Sequence, residues 1–315
     1  MSADHVILGT GAIGRAVAEE LVRRGESIRV VNRSGKMDEI PAGVEVVASD
    51  LYDQAQVKEV TRGAEVVYQS AQPEYSKWPE KFPPLQKSII DGLTGSAAKL
   101  VIVENLYAYG PNNGIPMTED MPHNTQTRKG QVRSAMSKAA MAAHQAGKVR
   151  VTMARGSDFF GPWGRASSMG ERALYPLLNG KAAQMVGRLD IPHTHTYIPD
   201  FGKALVILGE HAEADGQAWH VPNDMPRITQ AEMVKMFAEA AGVEPKMSSM
   251  GKLMMQVGGI FIPEAKEAVE MMYEFDQPYI VDSSKFENTF GIKATPMREA
   301  IKETVKWFRN HPEKK

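Results

Sequence analysis

Cysteine is absent from the 315 residues. Disulfides, thiolate nucleophiles and cysteine-ligated zinc are thereby excluded. An excess of charge is also missing: 37 Lys and Arg stand against 38 Asp and Glu, a formal net charge of −1. Nothing in that balance points to nucleic acid or to an anionic membrane surface as a partner. No apolar run approaches the ~20 residues of a membrane-spanning helix. No internal repeat or low-complexity segment stands out. The opening Met1-Ser2-Ala3-Asp4, followed at once by a strand-like run, is unlike a secretory signal, so a cytoplasmic location is expected. What is present is ordinary for a soluble globular protein, 43% hydrophobic and 24% charged. The length suffices for a large core in one or two domains. The 19 methionines read as flexible core filler.

The most informative stretch runs from His5 to Arg24. An apolar run, His5-Val6-Ile7-Leu8, leads through Gly9-Thr10-Gly11-Ala12-Ile13-Gly14 into a helical pattern carrying Val17, Leu21 and Val22. The spacing is G-x-G-x-x-G at a strand-to-helix join, the context that gives the motif meaning. Gly9 permits the tight turn, Gly11 lets backbone approach a pyrophosphate, and Gly14 lets helix pack on strand. The N–H groups at the helix start and the helix dipole then hold phosphate.

Strand-like runs near 5–8, 27–32, 44–48, 65–70, 99–104 and 149–154 alternate with helical patterns near 12–24, 53–61, 84–97 and 129–146. This alternation predicts an α/β doubly wound parallel sheet, a Rossmann fold. Ligands on such a sheet sit at the carboxyl ends of the strands. The second strand ends in Asn32-Arg33-Ser34, without the acidic residue that accepts from a ribose 2′-hydroxyl. A guanidinium and a hydroxyl suit a 2′-phosphate, so NADP is the expected cofactor, with NAD second. After the third strand, Asp50-Leu51 offers a carboxylate to the adenine amino group or caps the following helix. After the fourth, Ala71 and Gln72 leave room for a cofactor. The loop from Glu74 to Pro79, with Tyr75 and Trp78, is either a lid or a packed connection.

Beyond the fifth strand, Asn105, Tyr107 and Tyr109-Gly110 precede a long loop and the helix from about Arg128, where Ser134 and Lys138 stand four apart. Here the chain resembles the short-chain dehydrogenase/reductase superfamily, and within its extended and atypical branch the NAD(P)-dependent epimerase/dehydratase family. The carriers are the three glycines, Asp50-Leu51, Tyr109-Gly110, Lys138, Arg155 with Phe160-Gly161-Pro162, and Tyr197-Ile198-Pro199-Asp200. The resemblance implies that Lys138 bonds the nicotinamide ribose. It also implies that Gly156 and Ser157 border the nicotinamide and that Asp158 and Phe160 face substrate. Two departures matter. Asn105 stands where the family has Ser or Thr, and Ser134 stands where it has the catalytic Tyr. A phenol near pKa ~10 can be tuned toward neutrality, whereas an aliphatic hydroxyl is a far poorer proton donor. Tyr107, Tyr109 and Tyr75 are the phenols that could replace it, or they wall the pocket. Arg155 binds an anionic substrate or, as expected here, pairs internally with Asp200.

In the run His193-Thr194-His195-Thr196-Tyr197, period two puts His193, His195 and Tyr197 on one face. No third ligand is evident, so polar pocket lining or ordinary structure is expected and no metal. Further helices are expected near 201–211, 229–241, 264–274 and 296–309. The predicted organisation is a dinucleotide-binding domain over 1–162, with 191–222 returning to it. A smaller, mostly C-terminal substrate or cap domain takes 163–190 and 223–315. The leading functional expectation is an NADP-dependent oxidoreductase of a small carbonyl or enone compound. In it Lys138 orients the ribose, Asn105 polarises the substrate, and a phenol or water gives the proton. The alternatives are a non-catalytic NADP(H) sensor and, third, a sugar-nucleotide epimerase or dehydratase. The sequence leaves the oligomeric state open, a homodimer included.

Overall fold

The computed structural model describes residues 3–251, 254–255 and 269–313. The chain divides into two compact units. The first is Met1–Ala108, Arg128–Arg155 and Phe201–Val221; the second is Tyr109–Thr127, Gly156–Asp200 and Pro222–Lys315. Residues 109–127, 156–162 and 191–200, which the sequence assigns to the sheet domain, thus cluster with the second unit.

The first unit is built on β1 (His5–Leu8), α1 (Ala12–Arg24), β2 (Ile28–Asn32), β3 (Glu45–Ala48), α2 (Gln54–Val60), β4 (Val66–Gln69), α3 (Trp78–Leu93), β5 (Lys99–Glu104), α4 (Arg128–Gln145) and β6 (Arg150–Arg155). The strands form one seven-stranded sheet in the order β3-β2-β1-β4-β5-β6-β10, where β10 is Ala218–His220. Every pairing is parallel. A parallel sheet covered on both faces buries both sides of its central strands, so these read as continuous apolar runs. All four residues of β1 and all four of β4 are buried. The sequence missed β10 because three residues carry too little pattern.

The helices show why they start and stop where they do. Gly25 closes α1 at φ +82, and its N–H bonds back to Leu21 and Val22. Asp53, not Asp50, caps α2, accepting from Ala55 and Gln56 N–H. Asp50 lies three residues too early for that task. α3 begins at Trp78, well before the expected 84, because Pro79 sits in its first turn, where no N–H is needed. The segment from Tyr75 is therefore packed, not an overhanging lid. Trp78 is 4% exposed, in edge contact with Tyr75 and Phe82.

β5 and β6 are paired so that Glu104 lies opposite Arg155. Arg155 Nε donates to Glu104 Oε2 at 2.9 Å, both side chains being almost wholly buried. Asp200 accepts from the N–H and hydroxyl of Thr295. Arg155 also donates to Ser137 Oγ, and Arg133 of α4 to the Val103 carbonyl.

The second unit holds two small parallel sheets. β7 (Asp158–Phe160) pairs with β9 (His195–Tyr197), and β8 (Ala183–Val186) with β11 (Met247–Met250). Its helices are α5 (Glu171–Leu178), α7 (Gln230–Ala241), α8 (Tyr273–Asp276), α9 (Ser284–Phe290) and α10 (Met297–Asn310), while α6 spans Ile198–Glu210. Leu174, Phe237, Ile301 and Phe308 meet in one core. Thr229 and Glu232 form a reciprocal capping box on α7. Of the helix expected at 264–274, residues 264–268 lie outside the described residues. The remainder is a tight turn at Val269–Met271 and the start of α8.

The buried pair gives a stability prediction. Removing one partner of a buried pair leaves an uncompensated charge, worth ~3–5 kcal/mol. Glu104→Ala should therefore lower unfolding free energy by about that amount, and Glu104→Leu/Arg155→Met should recover most of it. Urea melts measure both, and equal losses in the single and double variants would contradict the account.

Candidate cofactor and catalytic site

At the carboxyl ends of β1, β2, β3 and β4 lies a cleft of about 440 Å³. It sits where the strand order reverses between β1 and β4, the place an open α/β sheet offers a ligand. Gly9, Thr10, Gly11, Asn32, Arg33, Ser34, Asp50, Leu51, Ala71 and Gln72 all line it. Ser49, Tyr52, Ser70 and Pro73 line it too and were not singled out by sequence. Each neighbours a residue that was, and only the strand ends could have signalled them.

The three glycines have three different physical reasons. Gly9 has φ +116, and a Cβ there would lie 2.7 Å from Ala71 N. A Cβ on Gly14 would lie 2.2 Å from the Gly9 carbonyl oxygen. Both glycines are demanded by the protein itself. Around Gly11 nothing lies within 4 Å of the added carbon. Its φ of −69° is open to any residue. No contact within the protein requires glycine there, so the space it leaves is the cradle for something else. Gly11 stands at the N-cap of α1 with no side-chain cap, and no acidic residue stands in the first turn. Ala12, Ile13 and Gly14 form that turn. Such an end favours an anion. The residues present therefore fit a dinucleotide pyrophosphate.

Asn32 organises the adenosine end of the cleft. Its Nδ2 donates to Thr10 Oγ1 at 3.1 Å and to the Lys36 carbonyl at 2.6 Å, and its Oδ1 accepts from Gly35 N–H at 2.7 Å. These bonds fold 32–36 into a compact turn that holds Arg33 and Ser34 exposed on the cleft. Arg15 secures the following loop by donating to the Asp38 and Glu39 carbonyls. Asp50 Oδ1 accepts from Tyr52 N–H.

The catalytic candidates of the first unit gather after β5. Asn105 Oδ1 accepts from Tyr107 N–H at 3.3 Å. The Tyr75 hydroxyl donates to the Tyr107 hydroxyl at 3.4 Å. Lys129, fully buried, places its Nζ 4.4 Å from the centre of the Tyr75 ring. Sequence reasoning missed Lys129, because a lysine beside Arg128 reads as solvated. Ser134 is buried, whereas Lys138 is on the exposed side of α4. The two stand on either side of the helix's burial boundary.

The remaining candidates belong to the second unit. Ser157 N–H donates to Thr196 Oγ1 and its hydroxyl to the Thr194 carbonyl, so its polar atoms hold β9. Gly156 is buried beside it. Phe160 is a core residue, not a substrate contact. It is 1% exposed and packs on Tyr197 and Phe237. Tyr109 is buried with its ring edge-on to His123. Asp158, His193 and His195 are brought together. His193 Nε2 lies 2.6 Å from Asp158 Oδ2, and the two imidazole centres are 4.9 Å apart. Burial and the charge of His193 push the His195 pKa down to about 3. Among the described residues, no group of three His, Cys, Asp or Glu is arranged to hold a metal ion. No helix among them is long and apolar enough to cross a membrane.

Two predictions follow from these environments. Gly11→Val should keep a native circular dichroism spectrum and melting temperature yet lose dinucleotide binding. Gly14→Ala, whose Cβ meets backbone, should lose stability first. Normal dinucleotide affinity in Gly11→Val would make residues 9–14 a structural turn only. The second concerns pH. His195 is neutral when folded but takes a proton near pH ~6.5 when unfolded. Its contribution is complete above that value. It falls by ~1.4 kcal/mol per unit as the pH drops from there toward about 3. Urea melts at pH 7 and 5 should show the loss, and His195→Gln should reduce it. An identical loss in the variant would contradict this assignment.

The comparisons with known proteins agree with this geometry. The family model described as "NAD dependent epimerase/dehydratase family" matches residues 6–221. No curated protein sequence matches significantly. Among solved structures, a nucleoside-diphosphate-sugar epimerase from Pseudomonas aeruginosa is similar at TM-score 0.76 and 16% identity, covering 99% of both chains. UDP-glucose 4-epimerase from Thermotoga maritima, solved with UDP-glucose, is similar at TM-score 0.78 and 17% identity, covering 98% of this chain and 99% of that one. dTDP-glucose 4,6-dehydratase from Bacillus anthracis, solved with NAD, is similar at TM-score 0.76 and 16% identity, covering 97% and 96%. At these identities the structures share the fold. With the family model spanning β1 through β10, and the glycine turn, cleft and sheet order as described, the chain belongs to the NAD dependent epimerase/dehydratase family.

Proposed function

We propose that the protein is an NADP-dependent oxidoreductase acting on a small carbonyl or enone compound. The observation that carries the reading is the cleft itself. A glycine cradle stands at its centre, and Arg33 and Ser34, not a carboxylate, stand at the end of β2. The pyrophosphate rests on the N–H groups of Gly11 to Ile13. Arg33 and Ser34 receive the 2′-phosphate, Asp50 the adenine amino group, and Lys138 the nicotinamide ribose. When bound, the dinucleotide supplies or accepts the hydride.

The chain's own part is polarisation and proton supply. Asn105 Oδ1 is engaged by Tyr107 N–H, which leaves the amide NH₂ to donate to a carbonyl oxygen. The Tyr107 phenol, hydrogen-bonded to Tyr75, gives the proton that completes the alcohol or saturated ketone. This arrangement compensates for Ser134, which cannot act as a tuned phenol. The named neighbours act on nucleotide sugars; the loss of the family's Tyr at position 134 separates this chain from that chemistry.

Calorimetry should show NADPH binding tighter than NADH by about 10- to 100-fold, each tenfold being ~1.4 kcal/mol. Arg33→Ala should narrow the gap. In NADPH oxidation assays over quinones, enones, aldehydes and ketones, Tyr107→Phe should lower kcat by ~10²–10⁴-fold, leaving NADPH affinity unchanged. Tighter NADH binding would overturn the NADP assignment. Tight NADPH binding without turnover on any compound would overturn the enzyme reading.

A further inference from the structure

The buried face of α4 is polar where a helix covering a sheet is expected to be apolar. Lys129, Arg133, Ser134 and Ser137 all lie buried on this helix. Arg133 and Ser137 stand four apart and share one stripe. Ser137 Oγ accepts from Arg155. The hydride-transfer reading leaves Arg133 without a part.

The surroundings of Arg133 belong wholly to the first unit. Its side chain is buried, with the residue 3% exposed. The guanidinium carbon lies 4.9 Å from the centre of the Phe82 ring and 5.8 Å from that of Trp78, both within cation–π range. Nη2 donates to the Val103 carbonyl at 2.8 Å. Nε has no hydrogen-bond partner among the described residues.

A buried guanidinium calls for a compensating anion. Glu104 is the carboxylate within its reach, but Glu104 Oε2 accepts from Arg155 Nε at 2.9 Å. One carboxylate therefore faces two guanidiniums. Glu104 supports the charge on Arg133, while burial and Arg155 work against it. The other acid that supports it, among the described residues, is the Tyr107 phenol. Such coupling is reciprocal: a cation favoured by the phenolate favours the phenolate in return.

Tyr107 is placed to respond. Its ring packs against Trp78 with 6.1 Å between centres, so guanidinium and phenol share one indole as neighbour. Both border the apolar cluster that holds Trp78 and Phe82, where charge is poorly screened. The Tyr75 hydroxyl donates to the Tyr107 oxygen at 3.4 Å, which favours the same ionised form. Of the other charged groups on the packed elements, Lys129 of α4 lies over the Tyr75 ring, and Arg155 of β6 is paired with Glu104. Glu104 of β5 carries the opposing charge.

We propose that Arg133 is a positioning residue that acts through Tyr107, its buried guanidinium favouring the ionised phenol. This deepens the proposed function and rests on it for the phenol's use as the proton donor. The electrostatic effect itself needs neither cofactor nor substrate.

The test uses the cofactor-free full chain carrying ¹³C at the tyrosine ζ carbon. The Tyr107 signal, one of nine, is identified by its loss in Tyr107→Phe. Its chemical shift is followed against pH in wild type, Arg133→Met, Arg133→Lys and Glu104→Gln. Arg133→Met should raise the Tyr107 titration midpoint by at least ~1 pH unit, a tenfold loss of ionisation. Arg133→Lys should restore most of the difference. Glu104→Gln should lower the midpoint, because the opposing carboxylate is gone. An unchanged or lower midpoint in Arg133→Met, or a higher one in Glu104→Gln, would overturn the proposal. A purely structural part for Arg133 would not move the two variants in opposite directions. Arg133→Met replaces a buried cation by an apolar chain and should melt close to wild type. If it does not fold, Glu104→Gln against wild type still decides. Absence of turnover in NADPH oxidation would remove the proposed function and leave the titration standing. Where turnover is found, Arg133→Met should lower kcat at pH 7 about tenfold with the KM for NADPH unchanged.

Discussion

The carbonyl oxygen of Gly9 occupies the place where a side chain at position 14 would have to be. That contact sets how closely α1 can approach β1, and the rest of the cleft depends on it. With α1 drawn in, its N-terminus stands at the carboxyl end of the central strand, with Gly11 open in front. The same closeness brings Gly9 against Ala71 at the end of β4, so the two strands flanking the switch point are fixed together. A further close approach, Gly202 of α6 against Ala16 of α1, holds the helix from its other side. The anion-binding end of α1 is thus a product of backbone-to-backbone packing, and no side chain in its first turn supplies it.

Charge is placed with similar economy. Glu104, Arg155 and Arg133 are buried beneath the ends of β5 and β6, where the sheet register and the α4 docking bring them together. Asp158 and His193 form a second hydrogen-bonded pair on β7 and the segment before β9, with the imidazole buried and the carboxylate partly exposed. Each pair places a basic side chain against a carboxylate, and each fixes a strand end where function is expected. Buried pairs of this kind specify arrangement more than they stabilise.

Much of the first unit was legible because a parallel sheet writes its strands as apolar runs and its ligand site as the residues that follow them. Asn32, Arg33, Ser34, Asp50, Ala71 and Gln72 could be found by that rule alone, and they line one cleft. What could not be read depends on contacts between distant segments. Arg155 pairs with Glu104 through the β5–β6 register, while Asp200 binds Thr295, 95 residues away. Lys129 is buried by Tyr75, which a basic local sequence conceals. Phe160 follows the glycine-proline pattern of the family, yet its side chain fills a core. The period-two reading placed His193 and His195 together, but their partners Asp158 and Glu274 come from segments 35 and 81 residues off.

The central claim is that the cleft at the β1–β4 switch point holds NADP with its 2′-phosphate on Arg33 and Ser34. The most direct measurement is a crystal structure of the NADPH complex. The account predicts pyrophosphate oxygens within hydrogen-bond distance of the Gly11 to Ile13 N–H groups, and the 2′-phosphate paired with the Arg33 guanidinium. A dinucleotide bound elsewhere, or one whose 2′-phosphate points away from Arg33 into solvent, would contradict it.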